Sequence, residues 1–130
     1  MKTENEDVLK LPSHLAKEDY CYLTTTGRKS GNPHEIEIWF GADGNSIYLL
    51  SGGGRESDWV KNLLKEPHVT VRIAKHTFKG VARLVVDKKE EMMARHMLAG
   101  KYQGWEKGKR LSEWGRTALV VGFELSLLKS

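Results

Sequence analysis

The stretch Leu23-Thr-Thr-Thr-Gly-Arg-Lys-Ser-Gly31 concentrates more chemistry than any other part of the chain. It opens on β-branched residues, which favour a strand. It then breaks at Gly27 and again at Gly31, where glycine frees the backbone for a tight connection. Arg28 and Lys29 stand between the two breaks, beside free backbone N–H groups and the hydroxyls of Thr24, Thr25, Thr26 and Ser30. Such a set receives a phosphate or carboxylate. The same residues read equally as a solvated hairpin turn that is basic. A second candidate is Ser51-Gly-Gly-Gly-Arg55, between a strand and a helix. A helix N-terminus carries partial positive charge, and glycines let an anion approach the backbone. The stretch lacks the Lys-Ser/Thr of a phosphate-binding P-loop and the GxGxxG spacing of a dinucleotide fold. Ser51, Gly52, Gly53 and the helix start make sense as the second edge of one anion site, or as a flexible turn. On that helix, Trp59 fits a core position and Asn62, one turn on, needs partners if it is buried.

The remaining reactive residues are scattered. His14, His34, His68, His76 and His96 form no tight ligand pair, and Cys21 has no cysteine partner, so no metal site and no internal disulfide are expected. No GxSxG elbow or nucleophile–base spacing occurs. If the chain is an enzyme, its chemistry belongs to a bound cofactor, and the protein orients it and tunes its electrostatics. The segment from Lys101-Tyr-Gln-Gly-Trp105 to Trp114 mixes rings and cations. It suits a stacking surface for single-stranded nucleic acid, a lid over a flat ring system, or a plain surface connection.

These residues need elements to hold them. With 130 residues, 39% hydrophobic and 29% charged, the chain suits one globular domain spanning residues 1–130. A formal charge of +4 is a mild bias toward anionic partners and too small to argue for nucleic acid. The polar, acidic start, the lack of an apolar run of spanning length and the single cysteine together suggest a cytoplasmic protein with no membrane span. A short helix is expected over His14–Glu18, and strands over Tyr20–Thr26, Pro33–Phe40, Ile47–Leu50, Val69–Ile73, Thr77–Val86 and Thr117–Leu125. Ala42-Asp-Gly-Asn45 is the clearest turn. One helix starts near Glu56 or Ser57, buries Trp59, Leu63 and Leu64, and ends at Pro67. Another spans Asp87–Met97, capped by Asp87, with Met92, Met93, His96 and Met97 inward. A helical turn is expected near Trp105. Hairpins at the front and few helices exclude a regular parallel βαβ array and favour a small antiparallel barrel or curled sheet.

The basic loop through Pro33, the Asp43-Gly44 turn, Ser51-Gly52-Gly53, and Trp59-Val-Lys-Asn-Leu63 followed by Pro67-His-Val-Thr-Val71 together resemble the deazaflavin-dependent nitroreductase family. These are flavin and deazaflavin oxidoreductases with the split β-barrel fold of pyridoxamine phosphate oxidase. The likeness runs from about Leu23 to Ile73 and is weaker beyond. It implies a mainly β, α+β fold: a six-stranded antiparallel split barrel with two or three helices. It implies coenzyme F420 as ligand, with FMN as the alternative. It places Arg28 and Lys29 at the cofactor phosphate, with Ser30 also cofactor-binding, Asn32, Pro33, His34 and Glu35 along the ring, and Ser51, Gly52, Gly53, Trp59 and Asn62 nearby. Tyr102 and Trp105 stand where relatives line the substrate pocket with tyrosines. The function expected on this resemblance is hydride transfer from reduced deazaflavin to a small quinone- or enone-like acceptor, in a homodimer. The alternatives are an FMN enzyme of the same fold, or a cofactor-, lipid- or haem-binding protein without catalysis.

Overall fold

The computed structural model describes residues 11–127. In chain order its elements are α1 (Ser13–Ala16), β1 (Cys21–Thr26), β2 (Pro33–Ile38), β3 (Gly41–Asp43), β4 (Ser46–Ser51), a 3-10 turn (Gly54–Glu56), α2 (Asp58–Lys65), β5 (His68–Ile73), β6 (His76–Leu84), α3 (Lys88–Gln103), α4 (Glu113–Thr117) and β7 (Leu119–Leu127). All seven strands join one sheet in the order β2-β1-β5-β6-β7-β4-β3. Every pairing is antiparallel.

The curl of this sheet follows from connectivity. β2 and β3 are its opposite edges, yet Trp39 and Phe40 alone join them. In a flat sheet of this width the outer strands would stand about 29 Å apart, at roughly 4.8 Å per strand. From Ile38 to Gly41 the chain reaches about 11 Å at most. The sheet therefore bends until its edges approach. The end of α3 fastens the joint. The Tyr102 hydroxyl accepts from the Phe40 N–H at 3.0 Å and lies 2.9 Å from the carbonyls of Phe40 and Asp19. Lys101 donates to the carbonyls of Phe40 and Ala16, both at 3.0 Å, and its ammonium sits 3.8 Å from the centre of the Phe40 ring. Burial lowers the Lys101 pKa and lifts that of Tyr102 to about 12.

Two apolar clusters sit on either side of the sheet. Leu23, Phe40, Ile47, Leu49, Val71, Phe78 and Phe123 lead the one inside the curl, where Val60 and Leu63 of α2 join them. Tyr48, Leu50, Ala94, Leu98 and Val120 form the other, beneath α3. β4 is buried on both faces, which explains its unbroken apolar run Ile47–Leu50.

Several expectations are corrected. The described residues hold seven strands rather than six: Gly41–Asp43 pairs with β4 across the expected turn. There are four α-helices among the described residues rather than two or three. α3 runs on to Gln103, past the expected end at Met97. Its fully buried positions are Ala94, Arg95, Leu98 and Ala99, with Met92 exposed, because small residues let the helix lie close on the sheet. The helical turn expected at Trp105 lies instead at Glu113–Thr117, capped by the Ser112 hydroxyl. On α2, Leu64 points outward and Val60 takes its place in the core. The Asp87 cap is present, accepting from the Glu90 N–H at 2.8 Å.

One charged network ties α3 to the sheet. Arg83 pairs with both Glu90 and Glu124; Tyr48 donates to Glu90 at 2.6 Å and Ser46 to Glu124 at 2.7 Å. The Arg83 hydrogen bond, then that of Tyr48, holds the Glu90 carboxyl down at about 2. A carboxylate held low stabilises the fold above its unfolded pKa, and that gain disappears as pH falls toward 2. Arg83 is two-fifths exposed, so water screens the pair. Glu90→Gln is expected to cost about 1–2 kcal/mol at neutral pH. In urea titrations the gap to the parent should close between about pH 5 and 2; a gap independent of pH would assign the loss to packing. Tyr102→Phe should lower stability by about 1–2 kcal/mol, since it leaves the Phe40 N–H without its partner. A thermal melt unchanged from the parent would refute the fastening role.

Candidate functional site

β1 and β2 form a hairpin in which Thr25 lies opposite His34 and Thr26 opposite Pro33. The loop between them is closed by its own backbone. The Gly27 N–H donates to the Asn32 carbonyl at 2.7 Å, and the Gly31 N–H to the Gly27 carbonyl at 2.8 Å. Gly31 has φ +78°, a left-handed conformation suited to glycine. A side chain at Gly27 would meet the His34 ring at 2.6 Å and the Ser30 hydroxyl at 2.7 Å, so that position needs glycine for close approach.

α2 runs past this loop, and a cleft of about 470 Å³ opens between them. Arg28, Lys29 and Ser30 line it from the loop, His34 and Glu35 from β2, and Trp59 and Asn62 from α2. Behind the same loop lies a recess of about 380 Å³, bordered by Lys65 and Glu66. A larger hollow of about 630 Å³ crosses the outer face of the sheet, with Pro33, His68, Lys79 and Glu124 on its walls. Its charges are of both signs and spread over several strands. The convergent donors are in the cleft, so the cleft is the better candidate for an anionic ligand.

The two adjacent cations have different surroundings. Arg28 is turned onto α2. Its Nη1 donates to Asn62 Oδ1 at 2.8 Å, and its Nη2 meets Asp58 Oδ1 at 3.2 Å. Its backbone N–H also donates to Asn62 Oδ1, at 3.1 Å, and its carbonyl accepts from Lys65 at 3.0 Å. Asn62 is buried and uses its own amide N–H₂ to reach Thr25 Oγ1 at 3.1 Å. It is therefore the joint between strand, loop and helix. Lys29 is exposed and has no hydrogen-bond or ion-pair partner among the described residues. Glu35, an acid beside a basic loop, has its carboxylate 3.8 Å from Arg72. Trp59 is half-buried, packing on the core while lining the cleft.

Other expected site residues lie elsewhere. Asn32 is exposed in the loop and donates its N–H to the Ser30 hydroxyl at 3.1 Å. Pro33 faces the outer hollow. The Ser51 hydroxyl is turned inward, donating to the Gly54 carbonyl at 2.9 Å and lying 2.7 Å from the Ser57 hydroxyl. Ser51, Gly52 and Gly53 do not line the cleft; Gly52 approaches Trp114 instead. Tyr102 stacks on Trp39 with ring centres 4.3 Å apart, and Trp105 stacks on His96 at 4.2 Å. Both lie outside the cleft. Burial raises the Cys21 thiol to about 12, so it is no thiolate near neutral pH. Asp58 and Lys65 were not expected at the loop, and only the fold brings them there.

The fold defines a class, the single curled antiparallel sheets with a helix packed inside the curl. A pyridoxamine 5′-phosphate oxidase assignment from Listeria innocua has a solved structure that aligns at TM-score 0.65 and 21% identity, covering 91% of this chain and 94% of that one. An F420-H2 dependent reductase aligns at TM-score 0.64 and 18% identity, over 82% and 94% of the two chains. A structure described as a domain-swapped dimer aligns at TM-score 0.63 and 20% identity, over 82% and 80%. These likenesses concern the fold. The sequence itself matches the F420H(2)-dependent quinone reductase family over residues 2–112, and the chain belongs to that family. Its members are reductases by description, as the sequence suggested.

The joint at Asn62 makes a specific demand. Asn62→Ala would remove the acceptor of the Arg28 backbone N–H, leave its Nη1 only the longer contact to the Asp58 carbonyl, and leave the buried Thr25 hydroxyl without its donor. A loss of about 2–3 kcal/mol in chemical denaturation is expected. A loss below about 0.5 kcal/mol, the range of ordinary surface changes, would show that the joint is not structural.

Proposed function

We propose that this chain is an F420H2-dependent oxidoreductase acting on a small quinone- or enone-like acceptor, with the cleft beside the basic hairpin as the cofactor site. The observation that carries the proposal is the exposed Lys29 ammonium at that cleft, beside an Arg28 already engaged by α2. A cation without a protein partner offers its full charge to an incoming anion. The donor set suits an anionic coenzyme with a flat ring: Lys29 and the Ser30 hydroxyl for a phosphate, the half-buried Trp59 beside the ring, and Lys65 at the recess behind the loop for an acidic tail. Family membership supports the same coenzyme.

When bound, reduced F420 supplies a hydride from a ring carbon. The chain's part is binding and orientation. Asn62 and Asp58 hold Arg28 against α2 and so fix the loop from which Lys29 projects. Arg28 is then a positioning residue, and Lys29 the contact with the ligand. Pairing of Glu35 with Arg72 draws a negative charge toward the outer face. A homodimer is part of this reading, supported by the dimeric structural relative.

The test is a fluorescence titration with oxidised F420, run beside FMN, then turnover of reduced F420 with a simple benzoquinone. Lys29→Ala should weaken F420 binding about tenfold or more, the value of one charge-assisted contact, with stability unchanged. Arg28→Ala should weaken binding together with stability, because it loosens the loop. No F420 binding at tens of micromolar would remove the proposal, and selective FMN binding would replace the coenzyme.

A further inference from the structure

We propose that His34 is a proton-dependent third cation of the cleft, so that its grip on an anionic ligand tightens as pH falls through neutrality. This rests on the reading of the cleft as the anion site. His34 stands opposite Thr25 on the hairpin and lines the cleft from β2. Its ring is exposed and lies against Gly27 of the loop. The point where a Gly27 side chain would begin lies 2.6 Å from Nε2, 2.8 Å from Cδ2 and 2.7 Å from the Ser30 hydroxyl. The imidazole thus stands beside the turn that carries Lys29, open to an incoming anion.

The charges around it come from each neighbouring element. The loop brings Arg28 and Lys29, α2 brings Asp58, and its own strand brings Glu35; the paired residue of β1, Thr25, carries none. Lys65, at the end of α2, reaches the loop from behind through the Arg28 carbonyl. Two of these charges are already matched. Arg28 and Asp58 pair at 3.2 Å, and Glu35 lies 3.8 Å from Arg72. An incoming anion therefore meets Lys29 and His34. Imidazole is the side chain whose charge ordinarily changes near neutral pH. Protonated, His34 gives the anion a second unmatched cation; neutral, it gives a dipole alone. By linkage, the bound anion in turn favours the protonated ring.

The experiment measures F420 affinity from about pH 5.5 to about pH 8 for the parent, His34→Gln and His34→Arg. Titration of the ligand itself cancels in the ratio of parent to His34→Gln. That ratio should rise about twofold to fivefold from the high end to the low end, the range of one exposed charge contact. His34→Arg should keep the tight affinity at both ends. A ratio constant with pH overturns the inference while leaving the cofactor site intact. Absence of F420 binding at every pH overturns both. Proton uptake by the parent gives a second measure, independent of how the variants fold: calorimetry near pH 7 in buffers of different ionisation heat. Net uptake that disappears at about pH 5 supports the inference; no uptake at any pH refutes it.

Discussion

The two-residue joint Trp39–Phe40 is the constraint from which the rest of the architecture follows. It connects the opposite edges of a seven-stranded sheet and forces them together. A joint that short leaves the Phe40 backbone no ladder partner of its own, and a buried peptide group without a partner is costly. The end of α3 supplies what is missing, through Tyr102 on the N–H and Lys101 with Tyr102 on the carbonyl. α1 is tied in by the same Lys101, through the Ala16 carbonyl. Curvature, core and helix placement are thus one arrangement. With the sheet bent, α2 packs inside the curl through Val60 and Leu63, and its polar side meets the β1–β2 loop.

That meeting divides the work between two neighbouring cations. An arginine presents several donors in a rigid fork, suited to fixed multipoint contact. Arg28 uses the fork on Asn62 and Asp58, and the geometry of the loop is the result. A lysine is a compact charge on a flexible stem, suited to a ligand that arrives and leaves. Lys29 stays exposed at the cleft with no partner among the described residues. An anion receiver needs both a rigid frame and an unmatched charge, and one residue cannot supply both with the same atoms. The mutual matching of Arg28 with Asp58, and the pull of Arg72 on Glu35, leave the cleft less neutral than its composition suggests.

Much of the lining of the candidate cleft could be read from residue order. The basic loop, its two glycines, and the Trp59–Asn62 pair on the next helix do converge on one cleft. The hairpin was legible because β-branched residues and glycines act locally. The triple-glycine stretch does not line the same cleft. Its hydroxyl partner, Ser57, lies six residues on, and the turn satisfies itself. The segment holding Tyr102 and Trp105 left a stacking surface, a lid and a surface connection all open; in the structure each ring has another ring against it. Those partners, Trp39 and His96, are separated along the chain from any pattern that would announce them. β3 escaped notice because three residues are too few for alternation to show.

The sequence by itself determined that this is an antiparallel sheet protein with a basic, glycine-framed turn, and that no spacing typical of a metal site or of a nucleophile–base pair occurs in it. Those properties depend on residue type and near neighbours. The family follows from the order of the same residues. Only the tertiary structure decided which of two adjacent cations is free. It also placed Asn62 as the joint and closed the sheet through a tyrosine and a lysine more than sixty positions away from the residue they hold. Charge matching is settled by distances of three or four ångströms between atoms far apart in sequence, and no pattern along the chain encodes those distances.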